Sequence, residues 1–174
     1  MKKLILICMA GILFTGLFAG CKGKEQKDIP VEDILQAVKD TYGENYLPNM
    51  ELEESMLKEG YGVDTSLIES FVAEVPMISV HQDFVIVAKA VEGKGSELEA
   101  ELEKLKESFQ ANQLIYPMNQ AKVQTSQVVR NGDYVAYFLV GAINEDMEAS
   151  EEEQLAFAKE ETQKAVDAFN ACFQ

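Results

Sequence analysis

Phe84-Val85-Ile86-Val87-Ala88-Lys89-Ala90-Val91 is the run from which the fold is read. It is rich in β-branched and aromatic residues and carries one charge, which predicts a central strand. Upstream, Phe71, Ala73, Val75 and Met77 alternate with Val72, Glu74, Pro76 and Ile78. That period of two predicts a strand from about 71 to 80, joined to the first through a turn at His81-Gln82-Asp83. Pro76 cannot donate to a ladder, so it places this strand at an edge or a bulge, where a partner strand can add. Downstream, Gly93-Lys94-Gly95 ends the central strand, and Ser96 and Glu99 have the spacing of a capping box. Leu98, Leu102, Leu105 and Phe109 then share one face of a helix that Ile115-Tyr116-Pro117 breaks. Lys122 to Arg130 alternates enough for a third strand. Asn131-Gly132 predicts a type I′ turn into a fourth strand, Tyr134 to Val140.

The flanks read as helices. Pro30 suits a first turn, and Val31, Ile34, Leu35, Val38 and Tyr42 recur at helical spacing before Gly43. Asn49 is expected to cap a short helix with Leu52, Met56 and Leu57 inward and Gly60 at its end. Asp64 is expected to cap a further turn through Leu67 and Ile68. Ala142 to Ala149 reads as a linker. Ser150 and Glu153 form a second capping box, opening an acidic C-terminal helix over about 150–173. Its apolar face is Leu155, Ala158, Thr162, Ala165, Val166, Phe169 and Phe173, with Glu151, Glu152 and Glu153 in the first turn, where the helix dipole favours them. The predicted class is α+β: an antiparallel sheet of about four strands, made of two hairpins, with helices packed on one face.

The chain opens with a different pattern. Lys2 and Lys3 precede an uncharged apolar run from Leu4 to Phe18, and Ala19-Gly20-Cys21 follows. A positive start, a run too short to span a bilayer, and small residues before the cut are the parts of a secretory signal. The cysteine makes it resemble a bacterial lipobox, with Phe18 in place of the usual leucine. The expected organisation is a signal peptide over 1–20, a lipidated Cys21 with a polar tether over 21–29, and one domain over 30–174. Two or three acyl chains on Cys21 give a stable anchor. The protein is then expected on the outer face of the cytoplasmic membrane.

The formal charge is −15, and loss of Lys2 and Lys3 with the signal takes it two charges further negative. Such a surface repels nucleic acid and anionic lipid. Cys8 leaves with the signal and Cys21 is lipidated, so Cys172 is left as a lone thiol on an apolar helix face and no intramolecular disulfide forms.

Three short motifs carry a family resemblance: Tyr61-Gly62-Val63-Asp64, Val75-Pro76-Met77-Ile78, and Asn131-Gly132-Asp133-Tyr134-Val135. On these, the span from about 45 to 141 resembles domain of unknown function family 4358, found in small lipoproteins of Gram-positive anaerobes. The resemblance implies an extracytoplasmic domain and assigns no activity and no site residues.

The residues themselves give no catalytic, cofactor-binding or metal-binding set. His81 is the single histidine and is expected to face solvent from its turn. No CxxC, HExxH or EF-hand loop occurs. Gly93-Lys94-Gly95-Ser96 precedes a helix but lacks the spacing of a phosphate loop. The favoured reading is a non-enzymatic binding module of the cell envelope. Its expected contacts are the membrane, through the lipid on Cys21, and an envelope protein. The alternatives are a small envelope enzyme using carboxylates and His81, and a capture protein for a small ligand.

Overall fold

A computed structural model describes residues 27–78, 80–146 and 148–174. The signal segment, Cys21 and most of the tether lie outside the described residues. Among the described residues the α-helices and strands are α1 (Val31–Tyr42), β1 (Met50–Glu51), β2 (Ile68–Val75), β3 (Phe84–Ala90), α2 (Gly95–Ala111), α3 (Pro117–Thr125), β4 (Gln127–Asn131), β5 (Tyr134–Leu139) and α4 (Glu151–Ala171).

The strands form one antiparallel sheet in the order β1-β2-β3-β5-β4. β3 is central, as its composition predicts, and both expected hairpins form. The sheet has five strands rather than four because the two-residue β1 pairs Met50 with Val75 and Glu51 with Glu74. This pairing also overturns the edge expected at Pro76. β2 stops at Val75, β1 covers that end, and Pro76 lies beyond the ladder.

Helices cover both faces, not one. Phe84, Ile86, Ala88, Val135, Tyr137 and Leu139 point into a core closed by Leu98, Leu102 and Leu105 of α2 and Val123 of α3. Val85, Val87, Tyr134, Ala136 and Phe138 point the other way, against Ile34, Leu35 and Val38 of α1 and Ala165, Val166 and Phe169 of α4. The continuous apolar runs of β3 and β5 record this: a strand buried on both sides has no polar face to alternate.

Other expectations change locally. Pro117 at the first helical position presets φ, and α3 takes Lys122 to Thr125 into a helix, so β4 begins only at Gln127. Asn49 caps no helix. Its Oδ1 accepts the Met77 N–H at 2.9 Å, and the expected helix is a single wide turn over Met56–Gly60 with Leu57 buried and Met56 exposed. Asp64 does cap its turn, accepting the Ser66 N–H at 3.0 Å. The Ser96–Glu99 box does not form. α2 begins one residue earlier, at Gly95, and Glu99 accepts from Arg130 Nε at 2.8 Å. The β4–β5 loop is Gly132-Asp133, since Asn131 pairs with Tyr134. Only Gly132 has positive φ, 60°, as a type II′ turn requires, not type I′. The Ser150–Glu153 capping box forms in full.

Candidate functional site

The glycine turn before α2 is filled from within the protein. Asp133 accepts the N–H of Gly93 at 3.1 Å and of Gly95 at 3.2 Å, so these amides hold a carboxylate of the chain itself. This packing is tight: a Cβ on Gly95 would lie 2.3 Å from the Gly132 carbonyl oxygen.

A concavity lies at the other end of the sheet, where β3 begins and β5 ends. It is an open groove of about 1140 Å³. One wall is α3 with the segment leading into it, through Gln113, Ile115, Met118, Gln120 and Gln124. The facing wall is Ala142 to Glu145 with the first turns of α4, through Glu151, Gln154 and Leu155. Gln110 at the end of α2, Asn112, Asn45, Leu47 and His81 also line it.

Each wall is held by buried polar contacts. Lys122 Nζ lies 3.0 and 3.1 Å from the two carboxylate oxygens of Asp83, with side chains only 2 % and 0 % exposed. The pair fastens α3 to the start of β3. Burial pushes the Asp83 carboxyl up, and the Lys122 ammonium pulls it back down. Asn119, also buried, donates to the Val80 carbonyl at 2.8 Å, and its Oδ1 has no partner among the described residues. On the facing side, the Ala142 N–H donates to Glu161 Oε2 at 3.1 Å, and Tyr42 Oη donates to the Glu161 carbonyl at 2.5 Å. Gly141, at φ 124°, lets the chain pass there; a Cβ would lie 2.7 Å from that of Glu161. Residues 142–145 of the expected linker thus form a wall, and the chain there is turned by Asn144 and Asp146, whose side chains accept the N–H of Asp146 and Glu148.

The residues singled out in the sequence are scattered. His81 lines the groove and is half-buried rather than solvent-facing; its Nδ1 is buried without a partner among the described residues. Cys172 is half-buried at the opposite end, its thiol donating to the Ala168 carbonyl at 3.3 Å, and burial pushes the thiol up. Of the acidic trio, Glu151 reaches the groove, while Glu153 is taken up by the cap. Among the described residues no group of three or more His, Cys, Asp or Glu side chains is placed to hold a metal ion. Sequence reasoning missed the Lys122–Asp83 pair, because it put Lys122 on a strand and Asp83 in a turn.

The family model described as domain of unknown function (DUF4358) matches residues 41–140. The chain belongs to this family. DUF4358 covers the sheet, α2 and α3, and so one wall of the groove; the 142–145 wall, most of α1 and all of α4 lie outside the matched span. Among curated proteins and solved structures, none matches the chain.

Proposed function

We propose that the chain is a lipid-anchored envelope protein that works by binding, with the groove beside α3 as its site. The groove carries this reading. It is large, it is walled by two segments that buried contacts hold in place, and its lining is mostly amides and aliphatic side chains. Such a lining offers recognition and no evident pairing of nucleophile with base. The anchor rests on the amino-terminal pattern ending at Cys21. No helix among the described residues is long and apolar enough to cross a membrane.

Two experiments test it. Cys21→Ala is expected to abolish fatty-acid labelling and normal maturation; a variant that still labels and matures sinks the anchor. Crosslinking in live cells from positions on the groove rim, such as Gln120 and Glu145, is expected to enrich a partner over an unrelated lipoprotein. No enrichment would sink the binding reading.

A further inference from the structure

We infer that the groove takes a short extended peptide segment bearing a basic side chain beside apolar ones, offered from the side of the domain away from its N-terminal attachment. This rests on the binding reading above.

The hydrogen-bonding inventory is the first ground. Gln110 Nε2 is committed to the carbonyls of Val123 and Gln124, at 3.4 and 3.2 Å, and Gln154 Nε2 to that of Asp146, at 3.0 Å. Each leaves its Oε1 as an acceptor. Asn112 Oδ1 accepts the Leu114 N–H at 2.9 Å, and Asn144 Oδ1 that of Asp146 at 3.0 Å. Each leaves its Nδ2 as a donor. Two acceptors and two donors are therefore held in position before any ligand arrives, which reduces the entropy lost on binding. A peptide backbone supplies the complement, one N–H and one C=O per residue.

Shape and charge narrow the class. The groove exceeds the roughly 300–1,000 Å³ of small-molecule pockets, so it has room for a segment of polymer. Leu47, Met118, Ile143 and Leu155 supply an aliphatic surface, and among the described residues no Phe, Tyr or Trp ring lines it. A sugar would lack the negative aromatic face against which its C–H bonds stack. The acidic liners are Glu145 and Glu151, and among the described residues no Lys or Arg lines the groove. A basic side chain therefore suits it and an acidic one does not. Exposed apolar residues neighbour its lining in sequence: Leu114, 91 % exposed, lies between Gln113 and Ile115, and Met77 and Ile78, 72 % and 64 % exposed, precede His81 on the loop that Asn119 ties to α3.

Placement gives the side of approach. Tyr134 Oη donates to Asp28 and accepts the Ile29 N–H, and Lys89 Nζ reaches Asp28 at 3.1 Å, so the chain joins the sheet where β3 ends and β5 begins. The groove lies where β3 begins and β5 ends. Six residues of strand, at about 3.3 Å each, put roughly 20 Å between them.

The test uses the full chain purified in detergent and two pools of end-blocked heptapeptides, identical except for lysine or glutamate at the central position. Bound peptides are identified by mass spectrometry. The lysine pool is expected to yield binders with apolar neighbours, retained about tenfold over their glutamate counterparts. Glu145→Gln with Glu151→Gln should bring that ratio near one, and Asn112→Ala with Asn144→Ala should weaken both pools. Equal retention of the two pools by the unaltered chain, or binders indifferent to all four substitutions, would overturn the inference. Chitotetraose or maltotetraose retained without any peptide would overturn the ligand class and leave the binding reading standing. If nothing is retained, the peptide inference falls, and live-cell crosslinking judges the binding reading separately.

Discussion

Lys122 and Asp83 hold two opposite charges in the interior at 3.0 Å, and this sets what each is worth alone. Removing one partner strands the other, which costs about 3–5 kcal/mol, whereas replacing both with apolar groups is close to neutral. Lys122→Met is therefore expected to destabilise strongly in denaturant melts, and Lys122→Met with Asp83→Leu to recover most of the loss. The pH dependence follows from the raised Asp83 carboxyl. A folded-state value above the unfolded 3.8 means the folded chain holds the proton more tightly, so stability falls as pH rises through that window. Without the ammonium the main opposition to burial is gone, and the deficit of Lys122→Met should shrink as pH drops from 7 toward 4. A deficit independent of pH would show that Asp83 is not left charged and buried. Gly95 makes a second prediction at this scale. Its missing side chain admits the Gly132 carbonyl, and Gly95→Ala is expected to cost about 1–3 kcal/mol through overpacking, measured in the same melts.

Among the elements, α4 starts with the cap that its sequence announces. Ser150 Oγ accepts the Glu153 N–H, and Glu153 Oε2 accepts from the Ser150 N–H at 2.8 Å. Ser150→Ala is expected to cost about 1 kcal/mol. The Ser150 hydrogen bonds hold the Glu153 carboxyl below its usual 4.5, so its contribution is present above that value and is lost as pH falls through the folded-state one. Glu153→Gln should flatten that part of the stability profile, read from melts across pH 3 to 6. The cap was legible because Ser-x-x-Glu is a local code. The same code failed at Ser96, where Asp133, from a distant hairpin, took the amides and shifted the helix start. α3 was missed for a related reason. Its inward residues, Asn119, Lys122 and Val123, include two polar side chains whose partners, Val80 and Asp83, lie 39 residues upstream. A pattern of apolar residues cannot reveal a face buried through polar contacts. The groove inherits that limit, since Gln110, Asn112, Asn144 and Gln154 look like ordinary surface residues until the chain folds.

For the whole molecule, burial of the sheet on both sides ties the family-matched span to its flanks. α1 and α4 supply Ile34, Leu35, Val38, Ala165 and Phe169 to one of the two cores. A fragment of residues 41–140 leaves Val85, Val87 and Phe138 uncovered, and it is expected to lose cooperative unfolding and bind a hydrophobic dye, while residues 27–174 melt in one transition. In the complete chain, Ile86→Ala and Leu102→Ala remove fully buried side chains of β3 and α2, and each is expected to cost about 2–5 kcal/mol. Changes near zero at both positions would place the wrong residues inside. The arrangement of attachment and groove also has a mechanical meaning. The N-terminal segment meets the sheet at one end of β3 and β5, the groove lies at the other, and the line between them follows the strands. On the proposed anchoring and binding, a pull between the N-terminus and a ligand in the groove would load the β3–β5 hydrogen bonds side by side, in shear, instead of opening them one after another like a zipper. Under such a load the domain is expected to outlast its grip on the ligand, and single-molecule stretching between Lys27 and Glu145 should rupture at higher force than stretching across the sheet between Glu51 and Val129.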